Sequence, residues 1–172
     1  MKKILETEHL LLREMIDDDF DALSKVIRDE DGESYPPEYV QKWIDWCKSS
    51  YEKVGFCHYA VIYKQSGEMI GSAGPSMQPI DGAWKPEIGY HLRSDFHRRG
   101  LGKEMAGAIR DYFFKHYQYD EVFSYMFKDN VASYKTAESM GMKYRFSFIG
   151  KDQREYKVYS ITRDEWDALK EQ

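Results

Sequence analysis

The ten residues FHRRGLGKEM, positions 96 to 105, constrain the fold more than any other stretch of this chain. After them Leu101, Met105, Ala108, Ile109, Tyr112 and Phe113 recur at the spacing of one helical face, and before them PEIGYHLR reads as a strand. The stretch is therefore a joint between a strand and a long amphipathic helix. Gly100 and Gly102 open that helix, where first-turn amides lack an intrahelical partner and the missing side chains let an anion come close. Arg98, Arg99 and Lys103 add positive charge. The joint suits a phosphate; a tight turn with solvated basic side chains explains it equally well, and the ten residues alone do not choose.

Two familiar phosphate loops do not fit. A nucleotide-triphosphate loop needs glycine where His97 stands and Ser or Thr where Glu104 follows Lys103. A dinucleotide fingerprint needs glycine or alanine where Met105 stands.

The rest of the chain alternates strand and helix signals. EHLLLREM reads as a strand, followed by a helix carrying Ile16, Phe20, Leu23 and Ile27. Pro36 and Pro37 start a second helix, with Val40, Trp43, Ile44 and Cys47 on its apolar stripe. FCHYAVIY and GEMIGSAG flank a glycine turn as a hairpin, and PEIGYHLR adds a strand beyond a loop expected at residues 75 to 86. EVFSYMF is a strand, NVASYKTAESMGM a helix ending at Gly141, and YRFSFIG with REYKVYSIT a closing hairpin before EWDALKEQ.

A length of 172 residues with 16% aromatic and 32% charged residues fits one globular domain and excludes a mainly disordered chain. No apolar run approaches the ~20 residues that span a bilayer, so no membrane association is expected and cytoplasm is the default location. The formal charge of −5 speaks against nucleic acid as a partner. Cys47, Cys57 and the five histidines show neither CxxC nor HxxxH spacing, so neither a disulfide nor a metal site is expected. Both cysteines read as packing residues, as do Trp43, Trp46 and Phe56.

PEIGYHLR before HRRGLGKEM, with DNVASYKTAESMGM about thirty residues later, resembles the GNAT acetyltransferase superfamily over nearly the whole chain. TEHLLLREMIDDDFDAL, GEMIGSAG, the NVAS helix and VYSITRDEW look like its RimJ/RimL branch, which acetylates ribosomal-protein N-termini. The resemblance implies an α/β (α+β) GNAT fold: a mixed central sheet of about seven strands, splayed between PEIGYHLR and EVFSYMF, the fourth and fifth, and flanked by helices. The family's Gln/Arg-x-x-Gly-x-Gly/Ala loop falls on His97, Arg98, Arg99, Gly100, Leu101 and Gly102, with His97 departing from the pattern. It implies that amides of Arg99 to Lys103 bind the pyrophosphate of acetyl-CoA. The same resemblance has backbone groups of Tyr90, His91 and Leu92 bind the pantetheine arm like an added strand, with Arg93 at the edge and Asn130 contributing a side-chain hydrogen bond.

Acetyl transfer from a thioester needs a neutral amine, donors for the developing oxyanion and a proton for the departing thiolate. Glu87 is the expected base, with Asp152 and Glu155 behind it; the plainer reading is a solvated charge at a strand start. Many family members carry a proton-donating Tyr seven residues after the helix-start Asn, but here that position is Ala137. The RimL-like branch places Ser at position 133, which becomes the expected acid and a cofactor contact, with Tyr134 second. A helix-start serine serving nearby backbone groups is the alternative for Ser133, and core packing the alternative for Tyr134. The acidic run Asp29, Glu30, Asp31 and Glu33 would draw in a cationic amine if it is not simply a solvated turn. The sequence thus points to an N-acetyltransferase acting on a peptide N-terminus, polyamine or other small primary amine in a ternary complex. A GNAT-shaped acyl-CoA sensor without turnover and a site for another phosphate ligand are the competing readings. Homodimers are common in the family, so the resemblance implies a homodimer as one expected assembly.

Overall fold

The computed structural model describes residues 2–31 and 35–171 of the protein. In chain order the elements are β1 (Lys3–Glu6), β2 (Leu10–Arg13), α1 (Phe20–Asp31), α2 (Pro37–Lys53), β3 (Tyr59–Tyr63), β4 (Met69–Ile80) and β5 (Ala83–Leu92). They continue as α3 (Leu101–His116), β6 (Glu121–Phe127), α4 (Val131–Ser139), β7 (Lys143–Ile149), β8 (Glu155–Thr162) and α5 (Arg163–Leu169). The strands form one mixed sheet ordered β1-β2-β3-β4-β5-β6-β8-β7, antiparallel throughout except for the parallel pair β5 and β6. Eight strands replace the expected seven because the four residues of β1 pair with β2, Leu5 opposite Leu12.

Alternation along the strands sends side chains to two helical layers. Tyr59, Val61 and Ile70 face Leu101, Met105, Ile109 and Phe113 of α3, while Ala60 and Met69 face Leu23, Ile27, Val40, Ile44 and Cys47 of α1 and α2. Each fully buried large apolar side chain contributes about 1.5–3 kcal/mol, so α3 is held mainly by this one face. Among the positions expected on that face, Ala108 is half-buried and Ala106 is the buried alanine. Trp166 of α5 closes the same layer by stacking on Phe114 at a centroid distance of 5.0 Å.

The expected loop at residues 75 to 86 is a long hairpin instead. β4 and β5 pair from Gly71 opposite Leu92 to Ile80 opposite Ala83, around an Asp81-Gly82 turn with φ of 48° and 77°. Positive φ at both central residues is the turn geometry that matches strand twist, and Asp-Gly supplies it. Pro75 and Pro79 argue against a strand, but β3 stops pairing with β4 at Tyr59 opposite Ala73. Beyond that point β4 has an open edge, where a missing N–H costs nothing.

Two interactions position the lower helical layer. Arg13, at the end of β2, donates to both oxygens of Asp19 at 2.6 and 2.5 Å, and Asp19 also accepts from the Ile16 amide at 2.9 Å. The Tyr51 hydroxyl of α2 accepts from the Met15 amide and donates to the His58 carbonyl, so α2 is tied to the start of β3. Cys47 and Cys57 are buried free thiols with Sγ atoms 3.5 Å apart beneath this layer. Among the described residues no helix is long and apolar enough to cross a membrane.

Removing one member of the Arg13–Asp19 pair leaves the other as a buried charge without its partner. Asp19→Ala should cost about 3–5 kcal/mol of unfolding free energy, read from urea denaturation at unchanged m-value.

Candidate active site

β5 and β6 run together for one backbone pair, Glu87 opposite Phe123, and then part. From Ile88 to Leu92 the only ladder partner of β5 is β4. Where the ladder stops, the buried Ser124 hydroxyl of β6 donates to the Ile88 carbonyl at 2.6 Å. A side chain thus takes the place of the next backbone bond, and the strands are free to diverge. The divergence opens a cleft of about 950 Å³, walled by α2, β5, β6, β8 and the start of α4.

Glu87 stands at the foot of this cleft, 7% exposed. Burial pushes its carboxyl up to about 8, opposed by a weak hydrogen bond from Ser76 at 3.4 Å. Gln78 in turn donates to Ser76 Oγ at 3.0 Å. His58 approaches from β3's entry, and the missing side chain of Gly89 makes the room. A Cβ at Gly89 would lie 2.7 Å from His58 Nε2 and 3.0 Å from Glu87 Oε2, so both groups converge on that one backbone position. Burial depresses His58 and His91 to about 4, which keeps both imidazoles neutral near pH 7. The site therefore holds a carboxyl that titrates near neutrality beside neutral bases.

The α2 wall is aromatic. Trp43 lies edge-on to His58 at 5.6 Å, His91 at 5.2 Å and Trp46 at 6.0 Å, and Tyr39 extends the row one turn back. Trp43 Nε1 is buried with no hydrogen-bond partner among the described residues. Facing this row are Tyr125 of β6 and Tyr156 of β8, with ring centroids 5.6 Å apart. Trp43 and Trp46, expected in the core, are thus half-buried cleft residues, whereas Phe56 is fully buried as expected.

The far side of the cleft is built by α4. Asn130 caps that helix, its Oδ1 accepting from the Ser133 amide at 3.1 Å. The capping duty that offered an ordinary role for Ser133 thus falls to Asn130; Ser133 lines the cleft, and its Oγ has no hydrogen-bond partner among the described residues. The Tyr90 hydroxyl reaches across from β5 to donate to the Ser133 carbonyl at 2.7 Å. Tyr134 does not reach the cleft; its ring stacks on Tyr159 with Lys157 over its face. Ala137 is fully buried. Asp152 pairs with Arg154 and Tyr156, and Glu155 with Lys128, and neither carboxylate lines the cleft.

The joint after β5 follows directly from the end of the cleft. Arg93 is engaged with Asp95 at 2.7 Å. His97, at the position that departs from the family's loop, donates from Nε2 to the Leu92 carbonyl at 2.7 Å and so clips the loop to the strand. That carbonyl, expected as a ligand group, already has this partner. Arg98 has φ of 60°, Gly100 has φ of 78° and caps α3, and the Arg99 guanidinium lies over Phe96. Among the described residues the amides of Arg99, Gly100, Leu101, Gly102 and Lys103 donate to no backbone or side-chain acceptor. Glu104 supplies the first helical bond, and its carboxylate is taken by the His9 amide and ring at 2.9 and 2.8 Å. A Cβ at Gly102 would meet nothing within 4 Å, so no contact inside the protein requires glycine there. The side chains of Asp29, Glu30, Asp31 and Glu33 lie outside the described residues.

Comparison with known proteins matches residues 9–143 to the acetyltransferase (GNAT) domain model. The uncharacterized protein YkkB of Bacillus subtilis is 28% identical over 149 residues, covering 83% of this chain and 87% of that protein. An acetyltransferase from Agrobacterium tumefaciens superposes with a TM-score of 0.79 at 23% identity, covering 95% of each chain. RimL, a ribosomal-protein alpha-N-acetyltransferase solved in complex with coenzyme A, superposes with a TM-score of 0.78 at 17% identity over 95% of this chain and 99% of its own. The structural matches show a shared fold, and the domain match, spanning most of the sequence, places this chain in the GNAT acetyltransferase family.

Proposed function

We propose that the protein is an acetyl-CoA-dependent N-acetyltransferase of the RimJ/RimL-like branch, moving the acetyl group directly to a primary amine in a ternary complex. The observation that carries this reading is the parting of β5 from β6 immediately beyond a buried carboxyl. An unpaired strand edge can take an extended amide-bearing chain as an added strand, and pantetheine is such a chain. Acetyl-CoA supplies the thioester. The residues present fit it: partnerless amides of Arg99 to Lys103 with Arg98, Arg99 and Lys103 around them, open space at Gly102, and a β5 segment beyond Glu87 that β6 does not pair.

In this reading Glu87 is the base. An alkylammonium near pKa ~10.4 must lose a proton before it attacks, and a carboxyl titrating near 8 is a better acceptor than one near 4. Glu87 takes that proton directly or through one water, and neutral His58 beside it supplies a second acceptor. Asn130 and Ser133 flank the other side, where Ser133 Oγ is free to donate to the leaving sulfur. A thiolate is a tolerable leaving group, so the serine assists more than it enables.

Gly102→Ala separates fold from ligand. The new methyl meets no protein atom, so thermal stability should hold or rise slightly, while coenzyme A affinity by calorimetry should fall about tenfold or more, ~1.4 kcal/mol. Equal affinity in the two proteins would remove the loop from the binding site.

Glu87 sets the pH dependence. The rate of thiol release should climb through about pH 8 as Glu87 ionises, and Glu87→Gln should abolish that limb with a loss of roughly 100-fold or more. The same substitution has a stability signature of opposite sign. The raised native pKa costs stability progressively as pH rises from the unfolded value near 4.5 to about 8, so Glu87→Gln should gain on wild type across that window, by on the order of 2–4 kcal/mol at pH 8.5. Ser133→Ala should lower kcat by roughly 10- to 100-fold without changing KM for the amine.

A further inference from the structure

The acceptor half of the cleft has a composition that discriminates among amines. Tyr39, Trp43 and Trp46 of α2 line the same cleft as Tyr125 and Phe127 of β6 and Tyr156 of β8. Among the described lining residues Glu87 is the only carboxylate, and Lys42 brings a positive charge to the same wall. A polyamine or aminoglycoside carries several ammonium groups and needs a carboxylate for most of them. Among the described lining residues one cationic end meets one acid, while further cations meet Lys42 or aromatic rings already packed on one another. An amine with a single cationic end and a flat apolar body is satisfied throughout: the rings cover the body, and the ammonium approaches Glu87 along aromatic faces.

We infer that the acceptor is a small primary monoamine with an aromatic or bulky apolar body, an arylalkylamine in class, held between the α2 rings and Tyr125 with its nitrogen at Glu87. The inference rests on the acetyl-transfer reading and narrows it from primary amines in general. Tyr125 supports the placement: its hydroxyl has no described hydrogen-bond partner, and its ring lies close enough to Glu87 for that carboxylate to help raise its ionisation, second to burial.

The test compares 2-phenylethylamine and tryptamine with spermidine, kanamycin and a short peptide bearing a free N-terminus, on the full chain. Thiol release is measured with acetyl-CoA, and amine binding is measured by calorimetry with saturating coenzyme A. The expected result is a kcat/KM for the arylalkylamines at least tenfold above that of spermidine, kanamycin and the peptide, and a Trp43→Leu variant that loses at least tenfold of it. Coenzyme A affinity of that variant serves as the control for folding. Faster turnover of spermidine, kanamycin or the peptide overturns the acceptor class and leaves acetyl transfer standing. Absence of turnover with every amine, together with no arylalkylamine binding beside coenzyme A, overturns the inference without a variant. Failure of coenzyme A itself to bind counts against the acetyl-transfer reading and removes the basis of the inference with it.

Discussion

The cleft of this molecule follows from one unmade row of hydrogen bonds. β5 and β6 are neighbours in a sheet that is otherwise laddered from end to end, yet they share a single backbone pair. Unsatisfied backbone in a protein interior is costly, so a split of this kind needs support on both sides. Ser124 takes the first orphaned carbonyl, β4 holds β5 along its whole length, and β8 pairs with β6 from Glu121 to Phe127. Each diverging strand is thus anchored by its outer neighbour, and beyond Glu87 and Phe123 the inner edges do not pair with each other.

The electrostatics of the site are a consequence of the same opening. A cleft walled by aromatic rings strips water from Glu87, His58 and His91, and each responds by favouring its neutral form. For the carboxyl this moves ionisation toward neutrality; for the imidazoles it removes positive charge from the cleft. Gly89 makes the crowding feasible, since any side chain there would collide with His58 and Glu87 together. The fold supplies charge to the cleft sparingly and places it at one end.

The joint before α3 was legible because its signals are local: glycines, basic residues and a helical face within a few turns. Asn130 and Gly141 as helix boundaries were legible for the same reason. The hairpin of β4 and β5 was not, because Pro75 and Pro79 count against a strand unless one knows that β3 begins only at Tyr59, opposite Ala73, and leaves the β4 edge beyond Ala73 unpaired. β1 is too short to announce itself and exists by pairing with β2. The aromatic wall was hidden by its own regularity: Tyr39, Trp43 and Trp46 follow helical spacing, as buried residues do, and only the path of distant strands decides that this face meets a cleft. His58 gave no motif, since its role arises from Gly89 lying thirty-one residues further along the chain.

The distribution of indoles has a practical consequence. Of the four tryptophans, Trp84 is 70% exposed on the tip of the long hairpin, Trp166 is packed against Phe114, and Trp43 and Trp46 sit together against the paired imidazoles. Light emitted by the last two is sensitive to what enters beside them, whereas the other two report on water and on the core. The native chain therefore carries its own optical gauge of occupancy, readable without a dye, and replacing Trp84 would darken the background without touching the gauge.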